Sequence, residues 1–374
     1  MTNLYNNSIA IKKLPFILNK SKSILLVRGN DSYESCGAKD LFEPHLKNYN
    51  IIEVKDFYKN PDIKDIEKTI KIINENNIDF IIGIGGGTVM DVAKAASILH
   101  SETEPIEKFI KGEIKLKGNK IPRLLIPTTA GTGAETTPFA VVYIDKTKYS
   151  LAHPSMSPEN IFLIPELTYS LSSKVTAQTG ADALAQAIEG FWSFNSTEES
   201  RNHSEVALTY LLDCLKDAVN KPTVKSRKGM LSGSYLAGKS ISVAKTTAAH
   251  AISYYFTAHY DVPHGQAVMF TLPYFFEIHG NATENNLQKG LDLKSFQTNF
   301  NKLLFLLDVK TGIEARDKLL DLMDEIGLER KLSSFGIVGN DLSNIVKSVN
   351  LERLKNNPIK ITEEMIWKIL REIL

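Results

Sequence analysis

From the N-terminus to about residue 170, short aliphatic and β-branched runs alternate with amphipathic stretches. Ser23–Val27 (SILLV), Asn50–Val54 (NIIEV), Asp79–Ile84 (DFIIGI) and Leu124–Ile126 each read as a buried strand. Pro61–Asn77 (PDIKDIEKTIKIINENN) repeats its apolar positions at helical spacing and reads as a helix. Strands alternating with helices predict βαβ units and a parallel sheet. From about Thr176 onward, Ala, Leu, Ile, Lys and Glu dominate at helical period and β-rich runs become scarce. Ser204–Val219 (SEVALTYLLDCLKDAV) is typical, with its apolar positions at a period of about 3.6. The pattern predicts an α/β domain over 1–174 and an all-helical domain over 175–374.

A length of 374 residues agrees with two domains. Hydrophobic residues at 43% and charged residues at 23% exclude a disordered or fibrous chain. The 44 basic side chains against 43 acidic ones leave a net charge of +1, so no nucleic-acid partner is expected. The two cysteines, Cys36 and Cys214, build neither a disulfide framework nor a thiolate cluster. The opening MTNLYNNSIAIKKLPFIL lacks a long apolar signal core, and no run of 18 apolar residues occurs. A soluble, cytoplasmic chain without membrane partners is expected.

Four segments carry candidate chemistry. In Gly83–Asp91 (GIGGGTVMD) a strand runs into three glycines, Gly85, Gly86 and Gly87, and then a helix. Glycines let a backbone approach a ligand closely, and the first N–H groups of a helix suit a phosphate. Thr88 is the expected N-cap, with Asp91 completing a box-like arrangement. The same residues would also serve a plain strand–helix turn. Ile126–Thr137 (IPTTAGTGAETT) sets hydroxyls and glycines after another strand, at the sheet edge where α/β proteins bind ligands, or else forms an ordinary polar loop. In Thr179–Glu189 (TGADALAQAIE), Asp182 and Gln186 share one face of an otherwise apolar helix, so Asp182 is buried and needs a partner, which a backbone cap would also provide. In His250–Gly265 (HAISYYFTAHYDVPHG), Pro263 breaks the helix and His264 faces inward. A carboxylate with two imidazoles suits Fe²⁺ or Zn²⁺, although each histidine alone is as compatible with a core or surface role.

In this order the four segments resemble the iron-containing (group III) alcohol dehydrogenase family over about residues 10–370. The resemblance implies a Rossmann-like dinucleotide-binding N-terminal domain and a helical metal-binding and substrate domain, the architecture shared with dehydroquinate synthase. Gly85, Gly86, Gly87, Thr88 and Asp91 correspond to the family's pyrophosphate turn, and Thr128, Thr129 and Thr132 to its second cofactor loop. Lys148, just after Ala140–Ile144, corresponds to a lysine near the cofactor ribose. Asp182, His250 and His264 match three of the family's four metal ligands. The fourth is usually histidine and is Gln186 here, which weakens metal affinity or shifts its preference. A second family histidine is replaced by Tyr254, which either relays a proton or fills space.

The resemblance further implies hydride transfer between a nicotinamide and a small aldehyde over Fe²⁺ or Zn²⁺, in a homodimer. NADPH is expected rather than NADH, because Gly29 stands where NAD-dependent relatives carry an acid, with Arg28, Asn30 and Ser32 available to a 2′-phosphate. Asp31 speaks against this if it points inward. Lys245-Thr-Thr-Ala-Ala-His250, Ser253-Tyr254, Gln186 and Trp192–Ser200 resemble the phosphonoacetaldehyde reductase branch, which makes 2-hydroxyethylphosphonate. Lys245, Thr246 and Thr247 would then meet the phosphonate, although Lys245 would equally serve as a solvated helix lysine. The alternatives are a general short-chain alcohol or aldehyde dehydrogenase, a dehydroquinate-synthase-like metal lyase, and a binding protein with a decayed metal site.

Overall fold

A computed structural model describes residues 2–58 and 60–374. The chain divides into two compact units, one running to Leu171 and the other Ser172–Leu374.

The first unit is built on a six-stranded sheet: β1 (Asn3–Asn6), β2 (Ser23–Arg28), β3 (Asn50–Val54), β4 (Phe80–Gly85), β5 (Arg123–Pro127) and β8 (Asn160–Leu163). Their order is β1-β8-β5-β4-β2-β3, and every pairing is parallel. The residues of β2, β4 and β5 are all buried, as befits strands covered on both faces. Alternate side chains feed two cores. Leu25, Val27, Ile81 and Leu125 pack with the helices Ile63–Glu75 and Gly87–Leu99, while Ile24, Leu26, Ile82, Ile84 and Ile126 face Leu14, Phe42 and Leu167.

The strand order turns back between β2 and β4. β3 lies outside β2, and the chain then returns to β4 on β2's other side. This switch opens a crevice at the strands' C-terminal ends. A separate antiparallel hairpin joins β6 (Phe139–Ile144) to β7 (Thr147–Ala152) through Asp145 and Lys146, both with positive φ.

The second unit is helical. Its central helix, Ser173–Trp192, is capped by Ser172, whose hydroxyl accepts from the Val175 amide at 3.2 Å. Nearly every residue from Gly180 to Trp192 is buried. Alanines and glycines at this depth let neighbouring helices approach closely, chiefly Glu198–Asn220, Val224–Ala244 and His264–Met269. Ala248–Tyr260 ends at Asp261, whose backbone turns left-handed at φ 53°, and Pro263 caps the start of the next helix at His264. Among the described residues no helix is long and apolar enough to cross a membrane.

Candidate cofactor cleft and metal centre

At the switch point of the first unit lies a cleft of about 700 Å³. Gly29 and Asn30 line it beyond β2, Asp56, Phe57 and Tyr58 beyond β3, and Thr88 and Val89 beyond β4, with Lys64, Asp65 and Lys68 from the helix Ile63–Glu75. The helix at the glycine turn begins at Gly87, and its N-cap is Gly86, which has no side chain to satisfy the first amides. The expected Thr88 cap is therefore corrected, since Thr88 sits inside the first turn. With no side-chain cap at Gly86, the start of this helix suits a phosphate.

Thr129 and Thr132 of the second loop abut this turn. A Cβ at Gly87 would fall 2.9 Å from Thr132 Cγ2, so only glycine admits the contact without a shift. The Thr128 amide donates to the Gly85 carbonyl at 2.9 Å, which ties the two loops together.

Of the twelve expected cofactor residues, Gly29, Asn30 and Thr88 line the cleft and the other nine do not; among those nine, Ser32, Lys148 and Asp91 make contacts of other kinds. Ser32 is exposed and packs its hydroxyl against Gly29. Lys148 is half-buried on β7, opposite Tyr143. Asp91 is turned inward. It pairs with Lys94 at 2.9 Å and accepts from the Val141 amide at 3.0 Å, so it joins the helix to the hairpin rather than completing a cap. Arg28 is not at the disposal of a phosphate either, because its guanidinium pairs with Glu53 at 2.8 Å and donates to the carbonyls of Gly29 and Asn30.

Beneath the second loop Lys94 is fully buried. It donates to the Ala134 carbonyl at 2.8 Å, to Thr137 Oγ1 at 2.9 Å and to the Phe139 carbonyl. Burial lowers its pKa, and Asp91 opposes the shift. Glu135 is buried beside it with Oε1 unpartnered; burial lifts its pKa to about 7 although Lys94 pulls it down.

In the second unit Asp182, His250 and His264 bring one ligand atom each within 4.8 Å of one another. His250 Nε2 lies 3.3 Å from Asp182 Oδ1, and His264 Nε2 lies 3.9 Å from the same oxygen. The imidazoles meet edge to face with centroids 5.3 Å apart. Gly265 makes this possible: a Cβ there would lie 1.9 Å from the Gln178 carbonyl oxygen and 2.8 Å from the Asp182 amide. Only glycine lets the His264 helix rest on the backbone that carries Asp182.

Gln186, one turn beyond Asp182, is buried, and its Oε1 has no hydrogen-bond partner. An unpaired amide oxygen at that depth is costly unless it has a ligand to bind. It fits the same metal as the carboxylate and the two imidazoles.

One residue of this site escaped the sequence reading. Glu189, fully buried, bonds His250 Nδ1 and accepts from the Thr247 hydroxyl at 2.6 Å and the Thr247 amide at 3.1 Å. Trp192 Nε1 donates to the same hydroxyl at 3.0 Å. The signal was present: Asp182, Gln186 and Glu189 recur at i, i+4 and i+7 on one helical face. With Glu189 holding the Nδ1 proton, Nε2 of His250 faces Asp182, and a metal that displaces the Nε2 proton would find the ring in the orientation that carboxylate–histidine pairs give to metal ligands. Burial disfavours the imidazolium, but Glu189 and Asp182 outweigh it and raise the His250 pKa to about 10.

Tyr254 stacks on His264 with centroids 6.1 Å apart and planes 14° apart, and its phenol oxygen accepts from Arg353 at 2.8 Å. Lys245 ends the helix Val224–Ala244 with its side chain at the surface.

Comparison with known proteins agrees with this geometry. The profile of the iron-containing alcohol dehydrogenase family matches residues 2–165, and that of the C-terminal region of the Fe-containing alcohol dehydrogenase family matches residues 176–374. The chain belongs to the iron-containing alcohol dehydrogenase family, and it is an oxidoreductase of the alcohol dehydrogenase and aldehyde reductase type.

It is 28% identical over 326 residues to long-chain-alcohol dehydrogenase 1 of Geobacillus thermodenitrificans, covering 86% of this chain and 81% of that one. It is 36% identical over 203 residues to phosphonoacetaldehyde reductase of Streptomyces viridochromogenes, covering 52% of this chain and 51% of that one. Sulfoacetaldehyde reductase from Bifidobacterium kashiwanohense, solved in complex with NAD⁺, superposes with a TM-score of 0.87 at 27% identity, covering 100% of this chain and 96% of that one.

Proposed function

We propose that this enzyme reduces phosphonoacetaldehyde to 2-hydroxyethylphosphonate with NADPH, over a divalent metal held by Asp182, Gln186, His250 and His264. The observation that carries the reading is the convergence of Asp182, His250 and His264 beside the buried, unpartnered oxygen of Gln186. The likeness to a phosphonoacetaldehyde reductase over half the chain supports the substrate.

Fe²⁺ or Zn²⁺ bound there supplies a Lewis acid for the aldehyde oxygen, and a reduced nicotinamide supplies the hydride. The chain does the rest. Glu189 fixes the His250 ring, and Gly265 sets His264 against Asp182. Tyr254, whose oxygen accepts from Arg353, would give its O–H to the product oxygen. Lys245, five positions before His250, would supply positive charge for the phosphonate. On the cofactor side, Gly86 and Gly87 with Thr88, Thr128, Thr129 and Thr132 hold the pyrophosphate and its neighbours. Gly29 leaves out the acid that would repel a 2′-phosphate, and Lys64 and Lys68 line the same cleft. An enzyme of this architecture acting on neutral aldehydes or alcohols is the second reading, favoured by the likeness to a long-chain-alcohol dehydrogenase.

Oxidation of NADPH and of NADH, followed with phosphonoacetaldehyde, propanal and butanal, tests the proposal. A kcat/KM for phosphonoacetaldehyde at least about tenfold above those for the neutral aldehydes, with NADPH preferred, is expected. Equal turnover of all three sinks the phosphonate reading, and a preference for NADH sinks the cofactor assignment.

A further inference from the structure

Arg353 lies about a hundred residues beyond Lys245, on the short helix Leu351–Leu354. It nevertheless meets the metal-ligand cluster through an aromatic stack. Its guanidinium sits over the Tyr254 ring, 4.9 Å from the centroid, and Nη1 donates to the phenol oxygen at 2.8 Å. The other end of that stack is the His264 ring. A planar guanidinium held against an aromatic face is fixed in direction as well as place, which an ammonium on a flexible stem is not.

Lys245 sits on a turn that is tied to the segment carrying Arg353. Its backbone has φ 64° and ψ 166°, a region that is essentially glycine's own, so a side chain is held there under strain. The carbonyls on either side of it, those of Ala244 and Thr246, both accept from the side-chain amide of Asn356, at 3.0 and 2.8 Å. Asn356 is buried, and its Oδ1 accepts from Asn195 Nδ2 at 2.6 Å and from the Ser193 hydroxyl at 3.1 Å. The segment that carries Arg353 therefore clamps the turn that carries Lys245. The two cations register each other: crowding lowers the Lys245 pKa, and the Arg353 charge lowers it further. The guanidinium beside the His264–Tyr254 stack and the ammonium on the turn tied to its segment both add positive charge that favours an anionic group on a substrate.

We infer that Arg353 and Lys245 together form an oxyanion subsite for the far end of the aldehyde, selecting a phosphonate dianion, and that Asn356 is the positioning residue that holds the pair in register. This rests on the aldehyde-reductase reading of the site and deepens it. Lys245 alone would be a mobile point charge, whereas Arg353 adds donors on a fixed plane. Two cations also match a dianion better than the single charge of a sulfonate or carboxylate.

The test uses the metal-loaded enzyme and the variants Arg353→Gln, Arg353→Lys, Lys245→Gln and Asn356→Ala. In Arg353→Gln, kcat/KM for phosphonoacetaldehyde is expected to fall at least about tenfold more than kcat/KM for propanal, mainly through KM, with part of the loss recovered in Arg353→Lys. Calorimetric binding of ethylphosphonate, which needs no turnover, should weaken in the Arg353 and Lys245 variants and be tighter than binding of ethanesulfonate in the wild type. In Asn356→Ala the selectivity between the two aldehydes should narrow.

Equal losses for both aldehydes would make Arg353 a structural residue and overturn the inference. So would ethylphosphonate binding indifferent to Arg353, or weaker than ethanesulfonate binding. If the wild type takes propanal as readily as phosphonoacetaldehyde, the proposed substrate fails on that result alone, and ethylphosphonate binding still decides for or against the role of Arg353.

Discussion

In the proposed metal site, Gln186 would set how tightly the ion is held. An amide oxygen is a weaker donor than imidazole, and the other three donors match the usual set. Gln186→His should tighten Zn²⁺ binding about tenfold, and Glu189→Gln should weaken it by about 10–100-fold by releasing the His250 ring; competition with a chelator reads both. No change in either variant would remove these residues from the site.

Glu135 makes a prediction of a different kind. Its carboxyl has a folded pKa of about 7, raised by burial from an ordinary value of 4.5. Between these values the unfolded chain releases the proton while the folded chain keeps it, so stability is lost as pH rises from about 4.5 to about 7. Glu135→Gln removes that loss. Relative to wild type its melting temperature should gain more at pH 8 than at pH 5, and an equal change at both would contradict the burial argument.

At the scale of elements, the metal centre depends on one helix lying directly on the backbone of another. Gly265→Ala sets a methyl against the Gln178 carbonyl oxygen, and backbone cannot yield as a side-chain tip can. A destabilisation of about 2 kcal/mol or more is expected, together with loss of bound metal at temperatures where the variant is folded, measured by thermal melts and metal analysis. A variant that melts and binds metal as the wild type does would place His264 elsewhere.

The elements that were legible in the sequence share one property, a burial pattern of their own. β2, β3, β4 and β5 show as apolar runs, and Ile63–Glu75 shows as a striped helix. β1 (NLYN) is a polar, mostly exposed edge, and β8 (NIFL) is four residues long. Neither carries an alternation, and each exists because its partner strand is beside it. The Thr88 cap was misplaced because a glycine N-cap leaves no side-chain signature. Asp182, His250 and His264 were legible as residue types at family spacing. Glu189 was legible only as a third position on the Asp182 face. Arg353 was not legible at all, since its tie to Tyr254 spans 99 positions and has no local period.

For the whole molecule, each unit carries one part of the chemistry by its own logic. A parallel sheet has an open edge where its strand order reverses, and the glycine turn and hydroxyl loop stand on that edge. A bundle of helices can bury a carboxylate and one imidazole with a second imidazole half-buried beside them, and the Glu189–Thr247–Trp192 bonds satisfy the polar groups behind His250. The central claim is that the reaction depends on one divalent metal held by the second unit. The most direct measurement is NADPH oxidation with phosphonoacetaldehyde by enzyme stripped of metal and titrated with Fe²⁺ or Zn²⁺, alongside His264→Ala. The account predicts no turnover in the stripped enzyme, a rise to a plateau at one metal per chain, and no comparable rise in the variant. Full turnover without metal, or a titration that His264→Ala leaves unchanged, would contradict it.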